Sequence, residues 1–225
     1  MADAESGIML TVAVLGGTGK EGSGLAVRWA LNGYRVLIGS RDAAKAIEKC
    51  AELNRELNGD YLTGLHNEAA AQVADIVVLS VPYAAQLDTL AGVRNFLEGK
   101  ILVDVTVPLI PPDVRTAHVP EGGSAVLNAQ KYLGAGVKVV GAFQNVSAEK
   151  LKHSDADVEC DVLVCSDHPD AKAEVIRLVE AAGMRGIDAG PLANSVAAEA
   201  LTPVLLYINK AYKVKGSGIR ITGIP

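Results

Sequence analysis

The stretch that decides the fold is Leu10-Thr11-Val12-Ala13-Val14-Leu15-Gly16-Gly17-Thr18-Gly19-Lys20-Glu21-Gly22. Residues 10–15 are mainly apolar and end directly in glycines, which predicts a buried strand followed by a tight turn. Residues 19–31 then carry apolar side chains at helical spacing, so the loop opens a helix. This order of strand, glycine loop and helix is typical of dinucleotide-binding α/β domains, in which the helix N-terminus faces the pyrophosphate.

We therefore predict that six residues of this loop surround the pyrophosphate of a dinucleotide, namely Gly17, Thr18, Gly19, Lys20, Glu21 and Gly22. In this motif the first glycine allows the tight turn, the second lets the backbone approach the pyrophosphate, and the third lets helix and strand pack closely. The alternative is a glycine-rich turn that binds no ligand, because a chain with 23 glycines produces such spacings by chance.

The residues that follow the next strand indicate which dinucleotide is bound. NAD-selective domains place an acidic residue about twenty positions after the loop, where it contacts the adenosine ribose. This chain has Ser40 and Arg41 there, and Lys45 follows one helical turn later. A guanidinium, a hydroxyl and a second cation suit a 2′-phosphate, which predicts NADP(H). The alternative is that these side chains are only the solvated start of a helix.

The rest of the chain alternates apolar runs with helical patterns. Strands are predicted at 35–40, 61–65, 76–81, 100–105 and 138–142, and helices at 43–57, 84–90 and 124–133. This alternation predicts a Rossmann-type doubly wound parallel sheet over residues 1–145, the NADP(H)-binding domain. Residues 146–225 are assigned to a smaller C-terminal α/β domain with a strand at 162–165 and helices at 169–182 and 194–214. Ser166 or Asp167 is expected to cap the first of these helices.

Composition and charge narrow the possible partners. Apolar residues make up 49% of the chain and the formal net charge is −5, which argues against a nucleic-acid partner. No apolar run is long enough to span a bilayer, and Met1–Gly7 lacks the features of a secretory signal, so we expect a cytoplasmic protein. The three cysteines form no paired motif and the four histidines have no metal-ligand spacing, so we predict buried thiols and no metal site.

Several motifs together resemble the NADPH-dependent F420 reductases, also called F420H2:NADP oxidoreductases. They lie at residues 12–19, 39–41, 80–82, 188–195 and 201–203, so the resemblance runs over nearly the whole chain. It implies a homodimer in which a deazaflavin, coenzyme F420, stacks on the nicotinamide of NADP(H) in a cleft between two domains. The C-terminal domain would contribute to the acceptor site and to the dimer interface.

The resemblance also implies which residues contact the two rings. Those expected to bind cofactor are Ser80, Tyr83, Val107, Gln144, Val146, Ala148 and Ala200, with residues 142–148 lining the hydride-transfer cleft. Gln144 and Ala200 stand where relatives often have His and Ser. No catalytic residue is assigned, because hydride transfer needs mainly stacking and exclusion of water. The alternatives are a reductase of another acceptor, such as a flavin, a quinone or a metal chelate, and a non-catalytic NADP(H)-binding sensor.

Overall fold

A computed structural model describes residues 10–152 and 158–224, so the prediction for Met1–Gly7 lies outside the described residues. Its larger part is a six-stranded parallel sheet with flanking helices, in the strand order β3-β2-β1-β4-β5-β6. The elements of this part are β1 (Thr11–Leu15), α1 (Lys20–Leu31), β2 (Arg35–Ser40), α2 (Ala43–Glu56), β3 (Leu62–His66), α3 (Asn67–Val73), β4 (Ile76–Leu79), α4 (Gln86–Val93), β5 (Ile101–Asp104), α5 (Ala125–Leu133) and β6 (Lys138–Gly141).

The sheet forms because its strands are apolar on both faces. All five residues of β1 and all four of β4 are buried, as a parallel sheet covered by helices requires. Two hydrophobic clusters result, one on each face: Val12, Val14 and Leu25 belong to one, and Leu15 and Leu79 to the other. The predicted doubly wound Rossmann-type fold is thereby confirmed.

The C-terminal residues form a second, smaller sheet. Their elements are α6 (Ala148–Leu151), β7 (Asp161–Val164), α7 (Pro169–Ala181), β8 (Arg185–Asp188) and α8 (Ser195–Ala211). Strands β7 and β8 pair in parallel, and Cys165, just after β7, forms an antiparallel bridge with Gly141 at the end of β6. The predicted boundary between residues 145 and 146 stays a prediction.

Some local predictions were wrong. Strand β8 and helix α3 were not predicted, because Arg185-Gly186-Ile187-Asp188 has one apolar side chain and α3 spans only seven residues. Neither Ser166 nor Asp167 caps α7: its N-cap is His168, and the Asp167 carboxylate instead accepts from the Leu192 amide at 3.0 Å.

Helix α1 fixes the C-terminal residues against the large sheet. The Trp29 indole Nε1 donates to the Leu178 carbonyl of α7 at 2.8 Å, and the Trp29 ring meets Phe143 edge to face, 5.8 Å between centroids. Arg28, also buried, donates to the carbonyls of Ala182 at 2.8 Å and Leu151 at 3.3 Å. The last turn of the helix that begins at the glycine loop is thus bonded to α6 and to the C-terminal end of α7.

The cysteines agree with their prediction. Cys50, Cys160 and Cys165 are all buried and unpaired. Within residues 10–152 and 158–224, no helix is both long and apolar enough to cross a membrane.

Candidate dinucleotide and hydride-transfer site

The candidate site lies at the carboxyl edge of the large sheet. Strands β1 and β4 are neighbours there, and the chain leaves β1 toward one side of the sheet and β4 toward the other. In open α/β sheets ligands bind in the crevice at such a switch point. Because the strands are parallel, the segments that follow β1, β2, β4, β5 and β6 all emerge at this edge.

The glycine loop is closely packed, as its motif predicts, but the tight turn is made by a different glycine. Gly16, not Gly17, adopts the left-handed conformation, with φ of 76°, and a methyl group there would overlap the Ser80 carbonyl oxygen. A Cβ at Gly22 would lie 2.9 Å from the Gly17 Cα, so the helix packs closely on the loop at Gly22, whereas the motif predicts close packing of helix and strand there. The tight turn is therefore one residue earlier than the motif suggests.

The N-terminus of α1 forms an anion cradle. Gly19 is the N-cap and has no side chain to accept from the first amides of the helix, which have no partner within it. These free amide groups and the helix dipole together favour a phosphate. The amides of Lys20, Glu21 and Gly22, which the motif assigns to the pyrophosphate, are therefore available to an anion at this end of the helix.

The three residues predicted to bind the 2′-phosphate lie together where β2 ends and α2 begins. Ser40 is half-buried, whereas Arg41 and Lys45 are exposed, and among the described residues neither cation forms an ion pair. The neighbouring Asp42 carboxylate is engaged as the N-cap of α2, accepting from the Ala44 amide at 3.0 Å. The two cations are thus available to a ligand.

A cleft of about 500 Å³ lies between the glycine loop and the C-terminal residues. It brings together four of the predicted site residues, Glu21, Gln144, Val146 and Ala148; the other lining residues are Leu109, Asn145, Ser147, Glu149, Thr202, Leu205, Leu206, Asn209 and 214–217. Ser80 and Val107 lie on the loops at the ends of β4 and β5, and Tyr83 begins a short 3-10 helix after β4; all three are outside this lining. Ala200, on α8, is also outside it.

Gln144 presents an unpartnered acceptor at this cleft. Its Nε2 donates to the Asp104 carbonyl at 2.7 Å, which fixes the amide orientation because a carbonyl only accepts. Its Oε1 is buried and has no hydrogen-bond partner among the described residues. The Gln144 backbone carbonyl accepts from the Thr202 hydroxyl at 2.6 Å, which ties α8 to this segment. Because this oxygen is buried within the wall of the cleft, a ligand could bond to it only after the side chain moved. An unpartnered buried acceptor costs roughly 1 to 3 kcal/mol.

Asn145, which the prediction included only within residues 142–148, has the same arrangement. Its Nδ2 donates to the Asp161 carbonyl at 2.7 Å, and its buried Oδ1 has no partner among the described residues. Two adjacent amide side chains therefore each hold a free acceptor beside the cleft. No spacing pattern in the sequence distinguishes such an amide from one with both of its polar atoms satisfied.

Two buried carboxyl groups, Glu199 and Asp104, form hydrogen bonds with elements next to the site. Both oxygens of Glu199 on α8 accept from the first amides of α5, those of Ala125 at 2.8 Å and Val126 at 3.1 Å. Burial raises the pKa of Glu199 to about 7. Asp104 at the end of β5 accepts from the Gln86 side chain at 2.6 Å, and burial raises its pKa as well. Gln86 was not recognised from the sequence, since 18 residues separate it from Asp104.

A Rossmann sheet with strand order 3-2-1-4-5-6, a glycine loop and an uncapped helix N-terminus defines a dinucleotide-binding protein. Residues 11–108 match the family described as NADP oxidoreductase coenzyme F420-dependent.

Similar proteins cover nearly the whole chain. F420-dependent NADP reductase from Methanothermobacter thermautotrophicus is 40% identical over 97% of both chains. That of Methanocaldococcus jannaschii is 42% identical over 96% of this chain and 99% of its own. A solved structure from Arthrobacter sp. FB24 is 25% identical, with a TM-score of 0.80 over 95% of this chain and all of its own. The chain belongs to the family of F420-dependent NADP reductases.

Proposed function

We propose that this protein transfers a hydride between NADP(H) and the deazaflavin coenzyme F420. The observation that carries the proposal is the placement of two cations, Arg41 and Lys45, at the same sheet edge as the glycine loop and the cleft, where neither pairs with a carboxylate of residues 10–152 or 158–224. Relatives that are 40% and 42% identical over nearly their full length are named F420-dependent NADP reductases, which supports this acceptor.

Each part of the site has a separate task in this proposal. The amides at the start of α1 hold the pyrophosphate, and Ser40, Arg41 and Lys45 hold the 2′-phosphate. When bound, the nicotinamide and deazaflavin rings supply the carbons between which the hydride moves. Gln144 and Asn145 form part of the cleft wall beside these rings. Leu109, Leu205 and Leu206 exclude water from the cleft.

We propose further that the protein is a homodimer that uses one face of α8. Val204, Tyr207 and Tyr212 are 46%, 61% and 74% exposed, and Leu201 and Ile208 on the same helix are partly exposed. An apolar stripe of this kind commonly marks an interface, and most oligomers of soluble proteins are symmetric dimers. Sedimentation velocity tests this, since a single species of about 23 kDa would contradict it.

The proposed compartment is the cytoplasm. Three cysteines that remain buried and unpaired suit a reducing environment, in which thiols persist.

The choice of NADP(H) is tested by Arg41→Ala. A charge-assisted hydrogen bond contributes about 1.5 to 3 kcal/mol, so we expect NADPH affinity to fall roughly 10- to 100-fold, with NADH affinity nearly unchanged. The matched control is Arg55→Ala, which removes an exposed arginine from the last turn of α2, far from the end of β2. Equal losses for NADPH and NADH would contradict the assignment.

The choice of acceptor is tested with purified protein and NADPH, offered F420, FMN, a quinone and a ferric chelate in separate reactions. Turnover with F420 alone supports the proposal. Turnover only with another acceptor would replace it, and binding of NADPH without any turnover would indicate a non-catalytic sensor.

A further inference from the structure

Glu21 is an unusual residue to find in this cleft. It is the second residue of α1, directly before the tightly packed Gly22, and its side chain lines the cleft with Gln144 and Ala148. It is half-buried, and no hydrogen bond or ion pair joins its carboxyl group to another described residue. A carboxyl group therefore faces the space proposed for the nicotinamide and deazaflavin rings without a partner of its own.

No charged side chain forms an ion pair with Glu21 among the described residues, and burial outweighs the favourable effect of the α1 N-terminus on its ionised form. On its own helix, the Lys20 Nζ lies 3.6 Å from Glu149 Oε1 of α6, and Glu149 also pairs with Lys152 at 3.0 Å. Lys150, the other charged residue of α6, does not line the cleft, whereas Lys215 lines it from the C-terminal segment. From α8 the lining side chains are neutral: Thr202, Leu205, Leu206 and Asn209. No cation lies within 4 Å of the Glu21 carboxyl group among the described residues.

Burial therefore dominates the titration of Glu21. It raises the pKa of this carboxyl group to about 8. Glu21 is mainly protonated at neutral pH and ionises in mildly alkaline solution.

We propose that Glu21 is a proton-linked selector between the two redox forms of the nicotinamide: as a neutral acid it accommodates NADPH, and its ionised form favours NADP⁺. This inference rests on the proposed function, since it requires the nicotinamide in the cleft. The oxidised ring carries a positive charge that the reduced ring lacks. A nearby carboxylate attracts that charge through a partly water-free cleft, where electrostatic interactions are stronger than in bulk water. Conversely, bound NADP⁺ favours loss of the Glu21 proton, by reciprocal linkage.

The test compares dissociation constants for NADPH and NADP⁺ between pH 6.5 and 9.5, by nucleotide fluorescence and by calorimetry. The ratio Kd(NADPH)/Kd(NADP⁺) is informative because both ligands carry the same phosphates, whose titrations cancel. We expect this ratio to rise about tenfold in the wild type, the effect of a one-unit difference in the pKa of Glu21 between the two complexes. In Glu21→Gln, which keeps the shape but cannot ionise, the ratio should stay constant.

Two further variants complete the design. Glu149→Gln removes another carboxylate of the same cleft, whose pKa is lowered by Lys152, so it stays ionised over this range and the rise should persist. Glu21→Met also removes ionisation and serves if Glu21→Gln does not fold, as judged by circular dichroism. A constant ratio in the wild type, or an equal rise in the Glu21 variants, would overturn the inference. Failure of both nucleotides to bind at every pH would instead overturn the proposed function.

Discussion

Glu199→Gln should measurably change how the free energy of unfolding depends on pH, compared with the wild type. Glu199 is 3% exposed and burial raises its pKa to about 7, so the folded state holds its proton more tightly than the unfolded chain. The resulting contribution to the free energy of unfolding is fully present below the pKa of Glu199 in the unfolded chain, near 4.5. It is lost as the pH rises through the pKa of Glu199 in the folded protein, about 7. Each unit of difference in pKa is worth about 1.4 kcal/mol, so Glu199 lowers the free energy of unfolding of the wild type by about 3 kcal/mol between these two pH values.

The assay is urea unfolding at pH 4.5, 6 and 7.5, with the free energy of unfolding compared between wild type and variant at each pH. Because Gln cannot titrate, the difference in the free energy of unfolding, wild type minus Glu199→Gln, should fall by about 3 kcal/mol as the pH rises. Glu149→Gln, an exposed carboxylate, serves as a control without this fall. A Glu199 difference that stays constant within about 1 kcal/mol, or that rises with pH, would refute the reasoning.

Three other substitutions test the packing of the glycine loop and the attachment of α1 to α7. Gly16→Ala should cost more than about 2 kcal/mol, because it combines a left-handed conformation with overlap at the Ser80 carbonyl. Gly33→Ala, left-handed with nothing within 4 Å, should cost only about 1 kcal/mol in the same urea titration; equal costs would contradict the overlap. Trp29→Phe removes the 2.8 Å bond to Leu178 and should cost about 1 to 3 kcal/mol, and an unchanged unfolding midpoint would show that bond to be unimportant.

The large sheet was predictable because its signals are local. Strand β2 begins at Arg35 and ends at Ser40 as predicted, since polar residues bound a continuous apolar run. Asp42 and Ser124 are N-caps whose side chains accept amide hydrogens at 3.0 Å, an interaction that depends only on near neighbours in the chain. Strand β8 was missed because its pairing with β7 depends on contacts that the sequence pattern does not contain.

Only those residues of the candidate site that belong to a sequence motif could be predicted. The glycine loop and the Ser40-Arg41 pair follow strands whose ends can be read from the sequence, and the structure places them at one sheet edge. The contact of Glu199 with Ala125 joins residues 74 positions apart, and no periodicity indicates it. Likewise, the raised pKa of Glu21 depends on burial by segments distant in the chain. The sequence identifies such side chains but not their surroundings.

The attachment of α1 to α7 would help to set the distance between the nicotinamide and deazaflavin rings of the proposed function. The glycine loop, proposed to hold the pyrophosphate, and residues 142–148, expected to line the hydride-transfer cleft, are joined through Trp29 and Phe143, which share one hydrophobic cluster, and through the hydrogen bonds of Arg28. A displacement of about 1 Å between reacting groups can lower a rate roughly a hundredfold. The donor–acceptor separation is then a property of the protein interior, and substitutions there would change the hydride-transfer rate without touching either cofactor.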